Sequence, residues 1–236
     1  MNSNPVHVLV ADPGWQPKDS LPKKRGAAHK YRTQTLEEIK ATPLPTIADD
    51  WAVLFLWRIS SMPSEAIEVM RAWGFEPKAE LVWRKYKVCG KCKGEGSRMQ
   101  RVYAEQIIVP ESQAKTKIFT GRSLQTCSQC KGEGRIEHFG LGRYTRAAHE
   151  TCLIGSRGKN VSAQRLNRDI PSVFEALMPT KPNSFRPEHS AKPDEFYEIV
   201  EKLFPGPYHE MHARRRRPGW SQEGNDLPPI AGIISV

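Results

Sequence analysis

Apolar residues occur in short runs separated by polar stretches, and these runs predict the strands of a buried sheet. Short runs rich in β-branched residues are typical of strands that are covered on both faces. Five such runs lie at residues 6–11, 51–59, 79–84, about 151–156 and about 208–213. The sequence therefore predicts at least five strands with intervals between them.

Helices are predicted in several of these intervals. The first covers about 36–41 and begins with the Thr and Glu of a capping box. The second begins at Pro63 and ends at Gly74, and the third follows Lys192 and reaches about Leu203. Strands that alternate with helices imply an α/β fold, with a mostly parallel sheet and helices on both faces.

The charge balance adds a candidate partner. The chain has 236 residues, with 36 Lys and Arg against 26 Asp and Glu, which gives a formal net charge of +10. Such a balance favours a polyanion such as nucleic acid, although an ordinary basic enzyme would look the same. No apolar run approaches the roughly 18 residues of a transmembrane helix, and the first ten residues lack the pattern of a signal peptide. We expect a cytoplasmic protein with no membrane partner.

The composition changes at residue 86. Residues 86–139 contain two CxxC pairs, show little helical periodicity and carry ten Lys and Arg against five Glu. The α/β pattern resumes after this segment, which is typical of an insertion. The predicted organisation is one α/β sheet domain in two parts, 1–85 and 140–236, interrupted by a separate module over 86–139.

The two cysteine pairs predict a zinc site. They are Cys89 with Cys92 and Cys127 with Cys130, and each pair continues as x-Gly-x-Gly. Four thiolates supply a tetrahedral zinc ion completely, so the metal would be structural and the module would be similar to a zinc ribbon. The repeated pattern resembles the zinc repeats of DnaJ-type chaperones in this local feature alone. The alternative interpretation is a set of redox or disulfide cysteines.

A candidate catalytic motif follows the first predicted strand. Asp12, Pro13, Gly14 and Trp15 resemble the D/N-P-P-W/Y/F motif of amino-group methyltransferases. Adenine N6 is a poor nucleophile, and a carboxylate with a backbone carbonyl can accept both of its N–H groups and stabilise the charge that develops during attack. An aromatic residue can stack on the extruded base. The same four residues also fit an ordinary type II turn.

Further sequence blocks follow the motif in order and resemble one family. They are Leu54–Trp57 (LFLW), Ala72–Phe75 (AWGF), Glu80–Trp83 (ELVW), Gly140–Tyr144 (GLGRY), His149–Gly155 (HETCLIG), His189–Glu195 (HSAKPDE), Arg217–Trp220 (RPGW) and Gly224–Asn225. Together they are similar to the MT-A-seventy family of DPPW-type adenine-N6 methyltransferases, which includes the eukaryotic mRNA adenosine methyltransferase and many bacterial and phage enzymes. The resemblance covers nearly everything outside residues 86–139. It implies a Rossmann-like sheet that binds S-adenosylmethionine, with permuted motif order: the catalytic motif comes first and the cofactor region last.

The resemblance also implies roles for the catalytic and cofactor-binding residues. Asp12 and the Pro13 carbonyl would hold adenine N6, and Trp15 would line the base pocket. The residues expected at the S-adenosylmethionine site are Lys192, Arg214, Asn225 and, more weakly, Asp226.

Substrate contacts are expected on two segments. Tyr31 resembles the end of the family's first active-site loop. Arg143, Tyr144 and Arg146 fit contacts to the substrate backbone, and a solvated surface explains them equally well.

The sequence leaves several functions open. The short chain without long extensions resembles bacterial and phage members, which favours DNA, and RNA is the alternative substrate. Gly14 replaces the second proline of the motif and motivates another alternative, a catalytically inactive zinc-ribbon protein that binds nucleic acid. Some relatives need a partner subunit, so the oligomeric state stays open.

Overall fold

The computed structural model describes residues 5–17, 33–48, 50–107, 115–140, 144–180, 191–224 and 227. The chain divides into two compact units. Within the described residues, the first unit consists of the chain up to Lys85, residues 139–179 and the part from Ala191 onward. The second consists of Tyr86–His138 and Thr180. That the segment over 86–139 is an insertion into a methyltransferase domain stays a prediction.

The first unit contains strands with helices between several of them. In chain order the strands are β1 (Val8–Ala11), β2 (Trp51–Arg58), β3 (Glu76–Val88), β4 (Ser97–Ile107), β5 (Lys115–Thr126), β6 (Arg135–Glu137), β7 (His149–Gly158), β8 (Val173–Leu177), β9 (Tyr208–Met211) and β10 (Trp220–Gln222). The helices are α1 (Leu36–Lys40), α2 (Pro63–Ala72) and α3 (Asp194–Leu203), with a 3₁₀ turn at Val161–Gln164.

The sheet of the first unit has the strand order β10-β9-β1-β2-β7-β3, and β8 pairs with β3. β10, β9, β1 and β2 are parallel, whereas β7 is antiparallel to both of its neighbours. This mixed, mostly parallel sheet confirms the predicted α/β class and is consistent with a Rossmann-like methyltransferase fold. The first strand in the chain lies in the middle of the sheet.

Helices cover both faces of this sheet. Val8 and Val10 point into a core with Phe196 of α3, while Leu9 packs on the opposite face with Ala66 of α2. Such alternation is the two-residue period of a strand buried on both sides. Among the described residues, no helix has the length and apolar character needed to cross a membrane.

One edge of the sheet collects the segments that carry the predicted motifs. β1 and β9 are parallel neighbours, so the residues after Ala11 and after Met211 lie at the same edge. β7 runs the opposite way, and its first residues therefore lie beside the end of β2, as the pairing of Arg58 with Thr151 shows. The pairing of Arg84 with His149 brings β3 to the same edge. Ligands of such sheets bind at the carboxyl ends of the parallel strands.

The second unit is built on a long antiparallel ribbon. β4 pairs with β5 over their whole length, and β6 pairs with the last three residues of β3. Two cysteine turns lie at the base of the ribbon, one before β4 and one after β5.

Candidate active site and metal site

The turn after β1 is fixed by three hydrogen bonds. The Trp15 N–H donates to the Pro13 carbonyl at 2.8 Å, and this bond closes a three-residue turn. A type II turn would instead be closed by a hydrogen bond that spans four residues. The Gln34 N–H donates to the Gly14 carbonyl at 2.7 Å. The indole N–H of buried Trp15 donates to the Trp57 carbonyl at 2.8 Å. The motif is therefore held by its neighbours on both sides.

A chain of alternating charges begins at Asp12. The ammonium of Lys192 lies 2.8 Å from a carboxylate oxygen of Asp12 and 3.2 Å from one of Glu150. The other Glu150 oxygen lies 3.3 Å from the ammonium of Lys85. The Lys192 side chain is 6% exposed, and its ammonium sits 4.8 Å above the ring of Trp57. Two carboxylates and one ring thus fix a buried cation beside the Asp12 turn.

The pKa values in this chain follow from the pairing. Burial alone would lower the pKa of Lys192, but Asp12 and Glu150 outweigh it and hold that pKa above its usual range. Burial alone would raise the pKa of Glu150, and the ammonium groups of Lys192 and Lys85 more than offset it, so that pKa lies below its usual range. Lys192 and Glu150 are therefore both charged at neutral pH.

A first cavity of about 430 Å³ lies on one side of Asp12. It is lined by a basic run, four acidic side chains, a histidine and a tyrosine. Its lining includes Asp12, Lys192, Asp194, Tyr197, Glu210, His212, Arg214, Arg215, Arg216, Arg217 and Gln222. Its volume is in the range of small-molecule and cofactor sites.

Most of the polar side chains described in this cavity are paired with one another. The Tyr197 hydroxyl donates to Glu210 at 2.6 Å, and the Gln222 amide donates to the other Glu210 oxygen at 2.7 Å. Burial raises the pKa of Glu210 and raises that of Tyr197 well above its usual range. Burial lowers the pKa of His212, whose Nδ1 has no hydrogen-bond partner among the described residues. The Arg217 guanidinium pairs with Asp194 at 2.6 Å.

A second cavity of about 320 Å³ is also lined by Asp12. Its walls come from the motif turn, the end of β2, the end of the first-unit part of β3 and the start of β7. Its lining includes Pro13, Gly14, Trp15, Trp57, Arg58, Lys85, His149 and Glu150. Asp12, Lys192 and Arg214 line both cavities, so the two spaces meet at these side chains.

The predicted residues divide into three groups by position. Asp12, Pro13, Trp15, Lys192 and Arg214 line one or both cavities. A second group, Tyr144 and Arg146, lines neither: Tyr144 is fully exposed, and the Arg146 guanidinium donates to backbone carbonyls. The third group falls outside the described residues and consists of Tyr31, Arg143, Asn225 and Asp226.

Several charged residues of these cavities were not predicted, among them Glu150, Lys85 and Glu210. Glu150 lies in a sequence block that signalled the family, but its position between two lysines depends on the pairing of β7 with β2 and β3. Lys85 follows a predicted strand without any motif of its own. Glu210 is in β9, where an acidic residue inside an apolar strand was the available signal.

The four paired cysteines lie together in the second unit. Their sulfur atoms all lie within 4.8 Å of one another, and the side chains are buried. The Sγ atoms of Cys89 and Cys127 are 3.8 Å apart, and those of Cys92 and Cys130 are 3.6 Å apart. A tetrahedral zinc ion with bonds of about 2.3 Å needs sulfurs about 3.8 Å apart. A disulfide needs about 2.05 Å, so the geometry fits a metal and excludes disulfides in this state.

Glycines make the two cysteine turns fit each other. A Cβ on Gly96 would clash with the carbonyl of Gly132, and one on Gly134 would clash with that of Gly94. Gly96 and Gly134 both have positive φ, near 70°. Reciprocal hydrogen bonds of 2.8 Å join the turns, one of them from the Cys127 N–H to the Gly96 carbonyl. The x-Gly-x-Gly pattern thus packs the two turns face to face around the sulfur cluster.

The sequence model of one family, MT-A70 (MT-A-seventy), matches residues 6–131 and 129–226. The chain belongs to the MT-A70 family. This membership agrees with the sheet order and with the position of the Asp12 turn at the carboxyl edge of the sheet.

Relatives in this comparison include eukaryotic and bacterial proteins. The chain is 26% identical over 226 residues to the N(6)-adenosine-methyltransferase MT-A70-like protein of Drosophila melanogaster, covering 94% of the chain and 27% of that protein. It is equally identical to the N(6)-adenosine-methyltransferase catalytic subunit METTL3 of Homo sapiens, covering 28% of that protein. It is 23% identical to the type II methyltransferase M.MunI of Mycoplasma sp, covering 86% of the chain and 62% of that protein. The chain thus spans little more than a quarter of the length of the two eukaryotic relatives.

Proposed function

We propose that the chain is an enzyme that transfers a methyl group from S-adenosylmethionine to N6 of adenine in nucleic acid. The observation that carries this proposal is the meeting of two cavities at Asp12. Methyl transfer requires the methyl donor and the base to lie next to each other. Two adjoining cavities that share one carboxylate would allow this. Membership of the MT-A70 family supports the same reaction.

The first cavity suits the cofactor. S-adenosylmethionine carries a carboxylate, an ammonium and ribose hydroxyls, and this cavity offers cationic Arg214, acidic Glu210 and the unpartnered Nδ1 of His212. Two of the three Lys192 N–H donors are taken by Asp12 and Glu150, which leaves one for a ligand carboxylate. When bound, the cofactor supplies an electrophilic methyl group on sulfonium sulfur.

The second cavity suits adenine. Asp12 and the Pro13 carbonyl at its mouth would accept the N6–H groups of the base and favour the developing charge on nitrogen. The Pro13 carbonyl already accepts the Trp15 N–H, and a carbonyl has a second lone pair for the base. The Lys192 ammonium holds the Asp12 carboxylate in orientation, and this would help to position N6 for attack on the methyl group.

The substrate class has two candidates. DNA is the class that the sequence favours, and it stays our proposal. RNA is the second candidate, favoured by the word adenosine in the names of the Drosophila melanogaster and Homo sapiens relatives. The human relative is named a catalytic subunit, so we also propose that a partner subunit can contribute to activity.

Zinc is the proposed metal of the cysteine cluster. Four thiolates are typical ligands of a structural zinc ion, and the distances between these sulfurs fit tetrahedral bonds. All four positions would be taken by protein, so the ion would hold the second unit together and take no part in methyl transfer.

Replacement of Asp12 tests the proposed reaction. Because the motif also accepts Asn at this position, the test variant is Asp12→Ala, which removes both the charge and the acceptor oxygens. We expect at least about a 100-fold loss of methyl transfer. Cofactor binding measured by calorimetry should stay close to that of the wild type. Asp169→Ala, at an exposed carboxylate outside both cavities, is the matched control and should behave as the wild type.

The same experiment separates the enzyme from the binding-only alternative. If the wild type binds nucleic acid but not S-adenosylmethionine, the result would support the alternative, a catalytically inactive zinc-ribbon protein that binds nucleic acid. Equal transfer by the wild type and Asp12→Ala would also overturn the proposed reaction.

A further inference from the structure

One face of the β4–β5 ribbon is exposed and carries an ordered set of side chains. Residues that face each other across an antiparallel pair lie on the same side of the sheet. Three such pairs follow in steps of about 7 Å. They are Met99 with Leu124, Arg101 with Arg122, and Tyr103 with Phe119, here called the ribbon face. All six side chains are exposed, and the four apolar ones are between 44% and 67% exposed.

A β-bulge places the aromatic pair on this face. The register shifts between Val102 and Tyr103, and Gly121 beside the shift has a φ of +146°. The extra residue moves Phe119 opposite Tyr103, where their ring centroids are 5.9 Å apart in an edge-to-face arrangement. Bulges commonly re-aim a side chain in this way. An unusual backbone conformation thus places two exposed aromatic rings next to each other.

The arginine pair is the second unusual feature of the ribbon face. Like charges directly opposite each other destabilise an antiparallel pair. Neither Arg101 nor Arg122 forms an ion pair with any residue whose side chain the structure describes. An anion bound between the two guanidinium groups would remove their repulsion, and phosphate is the anion that such forks bind best.

The cysteine cluster holds the ribbon in place. An isolated two-stranded ribbon is marginally stable in water. Here β4 begins directly after Gly96 and β5 ends directly before Cys127, and these residues share a backbone hydrogen bond of 2.8 Å. A metal bound by the four sulfurs would therefore clamp the ribbon at its base, and the ribbon face would be presented on a fixed support.

We infer that the ribbon face binds a single-stranded segment of the nucleic-acid substrate. Exposed aromatic rings stack on bases without regard to sequence, and nearby arginines bind phosphates. The strands of the ribbon carry five Lys and Arg against one Glu, which complements a polyanion. A second copy of the chain is a poor occupant, because two ribbon faces would bring four guanidinium groups together. This inference rests on the proposed action on nucleic acid.

Two double variants separate the charge from the rings. Arg101→Gln with Arg122→Gln removes two phosphate contacts, and Tyr103→Leu with Phe119→Leu keeps apolar bulk but removes stacking. Lys91→Gln with Arg98→Gln removes the same charge from the second unit outside the ribbon face. Binding of labelled single-stranded DNA, single-stranded RNA and duplex DNA is measured by fluorescence anisotropy at several salt concentrations. Zinc content and circular dichroism report the fold of each variant.

Each variant has its own expected result. The arginine variant should bind single strands roughly tenfold more weakly and lower the slope of log K against log salt by about 1.4, or 0.7 for each lost contact. The leucine variant should weaken single-strand binding roughly tenfold and leave the salt slope unchanged. The control should lose little affinity, and cofactor binding should be unchanged in all three.

Two results would overturn the inference. If the wild type binds nucleic acid and transfers methyl groups but both ribbon variants bind as it does, the face serves another partner, such as an acidic protein, while the proposed function stands. If the wild type neither binds nor methylates any nucleic acid, the proposed function fails as well. Loss of single-strand affinity in one folded variant, with transfer to saturating substrate intact, supports the inference.

Discussion

Gly14 stands where the D/N-P-P-W/Y/F motif has its second proline, and the surrounding residues account for its tolerance. The Gly14 carbonyl accepts the Gln34 N–H, and the side chain of Trp15 is anchored on Trp57. These contacts fix the turn from outside, so a rigid residue at position 14 is not needed to aim the Pro13 carbonyl. At the scale of single residues, the departure from the motif is compatible with catalysis.

Restoring the proline tests this explanation. Gly14 is not among the glycines with positive φ, and no hydrogen bond from its N–H is found within the described residues. Gly14→Pro should therefore be accepted and should stabilise the fold by about 0.4–1 kcal/mol, because the unfolded chain loses freedom. Urea denaturation and single-turnover methyl transfer measure the two effects. A variant that is both less stable and less active would show that the turn needs glycine.

Glu150 gives the stability a defined dependence on pH. Its pKa is lowered by two lysines, so its stabilising contribution is present above its ordinary pKa of about 4.3 and is lost as the pH falls through the lower value in the fold. The free energy of unfolding of the wild type should fall as the pH drops from neutral through about 4.3 and below, and Glu150→Gln should flatten that fall. Urea denaturation across this range checks it, with Asp169→Asn as control. Equal pH dependence in wild type and Glu150→Gln would contradict the assignment.

At the scale of secondary structure, the elements with an apolar period were predictable, and those that depend on pairing were not. The strand at 51–59 and the helix beginning at Pro63 appear as β2 and α2. β10 is a three-residue strand in a segment rich in Arg and Pro, which shows no apolar period. It forms because it pairs with β9. The β4–β5 ribbon was missed because its polar and apolar residues are mixed on both strands.

The cysteine cluster gives the second unit a metal dependence. We expect one zinc ion per chain in the wild type, and Cys127→Ser should lose it, because each thiolate supplies a quarter of the coordination. The ribbon amides of β4 and β5 should then lose protection in hydrogen exchange while those of β1 and β2 keep it. Elemental analysis and exchange mass spectrometry measure both effects.

Cys152 supplies the matched control for this experiment. It is buried in the core of the first unit, outside the cluster, and Cys152→Ala should keep the zinc. A wild-type protein without zinc, or a Cys127→Ser variant that retains it, would contradict the proposed metal.

At the scale of the whole molecule, the identity of the site residues was more predictable than the contacts between them. Asp12 and Lys192 were recognisable from motifs and do lie together, 2.8 Å apart. That Lys192 also pairs with Glu150 was not predictable, because 42 residues separate them and β7 must fold back between β2 and β3 to bring them together. Motifs locate reactive residues along the chain, whereas the sheet order decides which of them meet.

Methyl transfer itself is the most direct test of the whole account. The full chain, loaded with zinc, is given labelled S-adenosylmethionine with duplex DNA, single-stranded DNA and RNA in parallel, and the products are digested and analysed by mass spectrometry. We expect label in N6-methyladenine from at least one nucleic acid, with DNA favoured, and none with Asp12→Ala. Label on another base or position, or no transfer by a chain that binds neither cofactor nor nucleic acid, would contradict it.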